Sequence, residues 1–473
     1  MCSTLVGLES ARRASDLVVA LAAAMLALSL LLVLFKTASA ISVPTIRLAS
    51  NGRPPILELP SGCHFHGFIS HAWGTGQDQT HAIVRQMQLL LPGVKVWLDV
   101  DNLDDVGKLE ESVADAMAFI IFLSAGYFKS FNCRRELYAA LASMRPFIAV
   151  HETDVAKGGA SIEALKAECR ESCVEVSPPA YPSYSGPDEV LARVFDEAKP
   201  IVWVRVHDFQ VESLKEIALR MLRQVPYYAL HTSELTPGVA VPGEIRPHGF
   251  TGVVTILVCH GNKGAHDLAK ELKAAEAEGR SSSAATPKGN DAPERVTIRE
   301  AEEALEANAP PLHSNVVFLL YLTERTFLDE GGAVARLVQK AMDRGISITP
   351  VAEQEPCRGG CAFRQFFQQT PQVLQQPPYK LFDTLAVPLY PSVQHRKVSL
   401  RHVLRGMGAQ PQGGTHGGVL ATAAKVICCH LSGSPWCLRR NGGTMDVSVA
   451  NNDAALEGLA GGDGGEGENV LQV

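Results

Sequence analysis

The acidic stretch "VWLDVDNLDD", Val96 to Asp105, places four aspartates behind an apolar run. An Asp-x-Asp pair at a strand end suits phosphoryl transfer, with Asp99 as nucleophile and Asp101 as proton carrier. That chemistry also needs a lysine and an acidic pair at later strand ends, and none is recognisable. A calcium loop fits less well, because Leu103 fills a ligand place and Asp104 stands where the sharp turn needs glycine. Upstream, "FISHAWGTGQDQ" (Phe68 to Gln79) offers Ser70 and His71 for polar contacts and Phe68 and Trp73 for stacking. Its "GTG" at Gly74 to Gly76 is too short for a dinucleotide fingerprint and reads as a pliant loop. The eleven cysteines are irregularly spaced. Cys169/Cys173 and Cys357/Cys361 are both C-x3-C, which is not a zinc spacing. No metal is expected, and the cysteines read as reduced thiols of a cytosolic body.

Both opening stretches need elements to position them, and the sequence supplies these in alternation. "FHGFIS" reads as a strand. Thr80 to Leu91 carries apolar residues at helical spacing, "VKVWLDV" is a strand and "LEESVADAM" a short helix. "AFIIFLS" is apolar throughout, as in a strand buried on both faces of a parallel sheet. The helix "FNCRRELYAALASM", the strand "RPFIAVHE", the helix "SIEALKAECRESC", the strand "IVWVRV" and the helix "VESLKEIALRML" complete the unit. Five strands alternating with helices predict a doubly wound, flavodoxin-like parallel sheet. Ligands of such sheets bind beyond the carboxyl ends of the strands, where both opening stretches fall.

The pattern then recurs. "TILVCHGNKGAHDLAKELK" lays a strand and a helix over the places of "GFISHAWG…AIVRQMQ", with Cys259-His260 at Ser70-His71. "VVFLLYLTERTF" follows "AFIIFLSAGYF", and "GISITPV" follows "RPFIAV". A tandem repeat is expected, with Phe318 to Leu320 in its central buried strand. The chain has 473 residues, of which 46% are hydrophobic, enough for more than one core. A net charge of −7 without a long basic block argues against a nucleic-acid partner. Leu17 to Phe35 holds 19 residues without a charge. A helix of that length spans roughly 28 Å, about the hydrocarbon thickness of a bilayer. A retained membrane anchor is expected, with a signal cleaved after "ASA" (Ala38 to Ala40) as the alternative. The expected organisation is an N-terminal segment 1–16, a transmembrane helix 17–35, a linker 36–60, a first domain 61–230, a linker 231–250, a second domain 251–405 and a Gly-rich, disordered tail 406–473.

The ordered set "HGFISHAWG", "VKVWLDVDNLDDVGKLEESVADA", "FIIFLSAGYFKSFNCRREL" and "RPFIAV" resembles the TIR (Toll/interleukin-1 receptor) domain. In that family the first strand ends in F-[IV]-S. The second ends in an aromatic-x-Asp and runs into the BB loop, the third ends in L-S-x-x-[FY], and a helix carries C-x-x-E-[LI]. The resemblance implies self-assembly with other TIR domains through the BB loop, Asp101 to Lys108. It also implies signalling from the cytosolic side of a membrane.

Some members of the family are scaffolds, while others cleave NAD+, as substrate and not cofactor, at the nicotinamide–ribose bond. The glutamate of C-x-x-E-L separates them, and here it is Glu136. A carboxylate at that place stabilises an oxocarbenium-like ribose, and nicotinamide leaves as a neutral species without needing a general acid. Ser130 or Asn132 would cap the helix. Phe68, Ser70, His71 and Trp73 would line the nucleotide pocket, and Asp99 would stand at its rim. The competing role for Glu136 is an ion pair with Arg134 or Arg135. Members that cleave NAD+ often carry a basic or aromatic residue just after F-I-S, where this chain has His71-Ala72. In the second copy Ala335 or Arg336 falls at Glu136 and Arg299 at Asp99, so that copy is expected to be degenerate and inactive.

Overall fold

In the computed structural model, the described residues are 17–34, 44–98, 109–174, 184–242, 244, 248–281, 294–306, 315–328 and 332–411. Asp99, the acidic loop to Lys108 and residues 412–473 lie outside them; the start of the expected tail is ordered, with Gln410–Pro411 paired antiparallel to His248–Gly249.

The apolar run Phe119–Leu123 is a strand with every side chain buried. Successive side chains of a strand point to opposite faces, so the run divides between two cores. Ile120 and Phe122 join Ile69, Ile148 and Val150 on one face; Phe119, Ile121 and Leu123 join Phe68 and Ala149 on the other. Its neighbours are all parallel. The strands β1 (Gly67–His71), β2 (Val96–Trp97), β3 (Phe119–Leu123), β4 (Phe147–Glu152) and β5 (Ile201–Trp203) stand in the order β2-β1-β3-β4-β5.

Helices cover both faces of this sheet. α1 (Trp73–Leu90) and α5 (His207–Leu222) press Ile83, Val84, Met87, Leu214, Ile217 and Met221 onto one face. α2 (Leu109–Ala114), α3 (Phe131–Ala142) and α4 (Ile162–Ser172) press Val113, Cys133, Leu137 and Leu165 onto the other. This is the expected flavodoxin-like fold, with its crevice at the carboxyl ends of β1 and β3, where the order reverses.

Three local readings need correction. "GTG" is not a loop: β1 turns into α1 within two residues, and Gly74 to Gly76 lie in the first turns of the helix. A Cβ on Gly76 would stand 3.1 Å from both the His71 Cβ and Phe122 Cδ1, so glycine lets the helix start close above the sheet. The flanks 44–60 and 231–242 are not plain linkers. Arg47–Leu48 pairs antiparallel with Val239–Ala240, and Ile46, Leu48, Tyr228, Leu235 and Val239 are buried in the first core. The segment before β5, to which the sequence assigned no element, is helical from Pro187–Leu191 through Ala192–Glu197.

A second five-stranded parallel sheet follows with the same strand order. Its strands are β6 (Val254–Val258), β7 (Val296–Glu300), β8 (Val316–Leu322), β9 (Ser347–Glu353) and β10 (Val387–Leu389), in the order β7-β6-β8-β9-β10. Phe318, Leu319 and Leu320 are fully buried in its central strand, as expected. α6 (Ala265–Ser281) and α9 (Val393–Gly406) cover one face, and α8 (Ala333–Asp343) the other; the short α7 (Ala301–Ala304) follows β7.

The two sheets meet through α5 and α9. Phe209 packs against Tyr390 with ring centroids 4.7 Å apart, Ser213 Oγ lies 3.1 Å from His395 Nε2, and Asp208 lies 3.1 Å from His402. Among the described residues one helix, Leu17–Leu34, is long and apolar enough to cross a membrane, and none of it is buried.

Candidate functional site

Glu136 lies in the second turn of α3. Ser130 caps that helix, accepting from the Cys133 N–H at 3.4 Å. Cys133, Leu137 and Ala140 form the buried stripe of α3, which fixes its rotation and turns Glu136 toward the end of β1. There the Ser70 hydroxyl donates to Glu136 Oε2, and Ser70 Oγ lies 2.6 Å from the Tyr127 hydroxyl. Ser70 has a single proton. With that proton on the carboxylate, Tyr127 is the donor of the second bond, giving a relay from Tyr127 through Ser70 to Glu136. Burial, and then the neighbouring Cys133 and Glu136, push the Tyr127 phenol well above its ordinary range, so it stays protonated and able to donate.

Among the described residues no ion pair joins Glu136 to Arg134 or Arg135. Arg134 donates to the Phe128 and Lys129 carbonyls at 2.7 and 2.8 Å. Arg135 grips Glu110 through two bonds of 2.8 Å, tying α2 to α3. Glu136 is only 8% exposed, so it is a buried carboxylate at the strand ends and not a residue of an open rim.

The loop that carries Tyr127 is held from below. The Glu168 carboxylate accepts from the Gly126 and Phe128 N–H groups at 3.0 and 2.7 Å, and the Ala125 N–H donates to the Gly158 carbonyl at 2.9 Å. Thr75 of α1 reaches Ser124 Oγ at 2.8 Å and the Ala125 carbonyl at 2.9 Å. Cys133 Sγ donates to the His71 carbonyl at 3.3 Å, joining α3 to the end of β1.

The sequence-predicted residues therefore separate. Ser70 and Glu136 are in contact, whereas His71, the next residue of β1 and 4% exposed, turns to the opposite face, toward Gly76 of α1. Trp73, at the start of α1, is 66% exposed. Phe68 offers no stacking face: it is fully buried, 4.2 Å from the Trp97 ring and 5.8 Å from Phe119. The position alternates to the opposite face from Ile69 and is consumed by the core. Asp99 falls outside the described residues. Tyr127 was missed, although it stands in the final aromatic place of "LSAGY" and its hydroxyl was the available signal.

The second sheet has the same strand order as the first, so positions in the two can be matched by register. Phe68 stands opposite Phe119 as Leu257 stands opposite Phe318, which brings Cys259 to the place of Ser70. By the same register Arg299 opposes Leu257 as Trp97 opposes Phe68, so Arg299 does not take the place of Asp99. The loop after β8 is held as in the first sheet, by the Glu324 N–H on the Gly359 carbonyl at 2.8 Å. Thr326 there matches Tyr127. The α3 and α8 helices end alike: the Arg145 N–H bonds the Ala140 carbonyl and the Ile346 N–H the Ala341 carbonyl, each at 2.9 Å. Counting back from that turn, the partner of Glu136 is Leu337, itself 8% exposed, and not Ala335 or Arg336.

Comparison with known proteins bears on the first sheet. A family model described as TIR domain matches residues 68–172. No curated protein matches the chain. Among solved structures, a metazoan TIR-STING receptor from C. gigas, in complex with 2',3'-cGAMP, is 11% identical. It covers 75% of this chain and 97% of its own, with a TM-score of 0.20. An acetyl-coenzyme A synthetase of Ca. Korarchaeum cryptofilum is 12% identical over 82% of this chain and 71% of its own, at a TM-score of 0.18. Overlaps this poor carry no argument. The family match covers the strand ends, the Ser70–Glu136 contact and α4, on the fold the motifs implied. Residues 68–172 of this chain are a TIR domain.

Proposed function

We propose that the chain is a membrane-anchored TIR signalling protein that acts by self-assembly, and that its first domain hydrolyses NAD+ at the nicotinamide–ribose bond. The observation that carries the enzymatic part is the Glu136 carboxylate, held at the end of β1 by the Ser70 hydroxyl, which in turn meets Tyr127. Departure of nicotinamide breaks the bond between its ring nitrogen and the ribose anomeric carbon, and the bonding electrons leave with the nitrogen. Positive charge then develops on the ribose. A buried carboxylate beside it lowers the energy of that state more than of the neutral sugar. Water adds to the anomeric carbon and its proton passes to solvent. Ser70 holds the carboxylate in one orientation, which avoids reorganisation during the step.

The Leu17–Leu34 helix would anchor the chain, with both sheets facing the cytosol and other TIR domains as partners. The second sheet is read as a degenerate copy of the first. It shares the strand order, the hydrogen bonds that set both loops, and a fully buried glutamate at the end of its fourth strand, Glu353 for Glu152. With Leu337 at the carboxylate position, the reaction belongs to the first domain alone.

The test is release of nicotinamide from NAD+ by the purified full chain, both dispersed and clustered on vesicles. The first core includes residues 44–60 and 231–242, so a fragment assay should span 44–242. A non-enzymatic assembly module is the second reading. It is favoured by the 8% exposure of Glu136 and the loss of Phe68 as a stacking surface. A wild type that is inactive even when clustered establishes it.

A further inference from the structure

At the carboxyl edge of the second sheet three side chains from two strand ends converge. His260 follows β6, Glu300 ends β7, and Glu302 lies in the short helix after it. One ligand atom from each lies within 4.8 Å of the others. We propose that His260, Glu300 and Glu302 form a divalent-metal site of the zinc class. This site is separate from the Glu136 chemistry and uses none of the cysteine pairs.

The contacts around the cluster orient its members and leave one donor atom unspent. Glu302 Oε1 accepts from the His260 backbone N–H at 3.0 Å and from the Cys259 thiol at 3.2 Å. Its other oxygen, Oε2, is buried and has no hydrogen-bond partner among the described residues. A desolvated carboxylate oxygen without a donor is costly, and a cation at that position removes the cost. His260 Nδ1 lies 2.9 Å from Glu300 Oε2, and His266 Nδ1 lies 3.4 Å from Glu300 Oε1. No lysine or arginine forms an ion pair with Glu300 or Glu302 among the described residues, although the two carboxylates lie in one cluster. The neighbours of Glu300 are imidazoles, which in the neutral form can bind a metal.

The loop is held in place. The Asn262 side chain donates to the Tyr321 carbonyl at 2.7 Å and accepts from its N–H at 2.8 Å, locking the turn after His260 to β8. An imidazole with two carboxylates suits zinc, and bonds of about 2.0–2.2 Å put tetrahedral ligand atoms roughly 3.4 Å apart. Small rotamer shifts from the observed spacing reach that geometry. Three protein ligands leave a fourth position for water or substrate. His260 is 77% exposed at its side chain, so the position faces solvent.

The experiment is equilibrium dialysis of the full chain, in detergent, against zinc chloride, with bound metal measured by mass spectrometry. One zinc per chain is expected, removable by a chelator and not displaced by excess magnesium. His260→Ala and Glu302→Gln should each weaken binding at least about tenfold. The Cys357→Ser/Cys361→Ser variant should bind as wild type. His260 is exposed, so its replacement leaves the core intact and folding can be checked by thermal melting. The proposal is overturned if no stoichiometric zinc is retained, if His260→Ala binds as tightly as wild type, or if loss of the cysteines abolishes binding.

Discussion

Replacing Glu136 by glutamine isolates the charge of the proposed site. Glutamine has nearly the same volume, and its carbonyl oxygen can still accept the Ser70 proton, so the relay from Tyr127 survives. What is lost is the negative charge in a position that is 8% exposed, where screening by water is weak. Removal of one preorganised electrostatic partner of a transition state typically costs about 3–4 kcal/mol. That is a fall in turnover of roughly a hundredfold to a thousandfold. Stability should move by no more than about 1 kcal/mol, since one hydrogen bond to a charged acceptor becomes one to a neutral acceptor. Glu136→Ala is a harsher change. It leaves the buried Ser70 hydroxyl without its acceptor and should cost about 1–3 kcal/mol of stability. The assay is nicotinamide release by wild type and both variants at matched oligomer size, with unfolding followed in parallel. Full activity in a folded Glu136→Gln protein refutes the catalytic assignment. Unchanged stability in Glu136→Ala refutes the buried relay.

Tyr127→Phe should keep the fold but cut turnover by less than Glu136→Gln does, because it removes only the outer bond of the relay; equal losses would mean that Tyr127 itself touches substrate. Gly158 has φ +85°, and a Cβ there would stand 2.8 Å from the Thr75 Cβ, so Gly158→Ala should destabilise by about 2 kcal/mol or more, read as a lower Tm; an unchanged Tm refutes the close approach of α1 to that loop. Burial holds His66, His151 and His395 below the usual histidine range of about 6.5. The unfolded chain therefore binds more protons than the folded one just below that value, and stability should fall as pH drops from about 6.5 toward the folded values. His395→Gln should blunt this acid loss in a melting series from pH 7.5 to 5.5, and an unaltered pH dependence sinks the role given to His395. On sealed vesicles, added protease should reach both sheets from the cytosolic side; shielding of residues 61–405, or a mature N-terminus at Ile41, overturns the anchored topology.

The sequence by itself determined the layer structure. Period-2 and unbroken apolar runs are local signals, and "AFIIFLS" could be satisfied only by a strand covered on both faces, which requires helices above and below. The ordered motifs also marked Glu136 and Ser70 as residues of one edge. Three things were decided by tertiary structure. Phe68 looks like a ligand-stacking residue in "FISHAWG", but the alternation of β1 and its register with β2 and β3 commit it to the space between Trp97 and Phe119. "GTG" looks like a loop, yet the closeness of Phe122 and His71 turns its lack of side chains into a packing requirement. The partner of Glu136 in the second sheet is Leu337, which only a shared helix end identifies, because gaps in the loops erase the sequence register. The contact of Tyr127 with Ser70 and the meeting of His260, Glu300 and Glu302 were illegible for the same reason. Tyr127 is 57 positions from Ser70, and His260 is 40 and 42 positions from Glu300 and Glu302; parallel strand order, which no local pattern encodes, is what places these strand ends side by side.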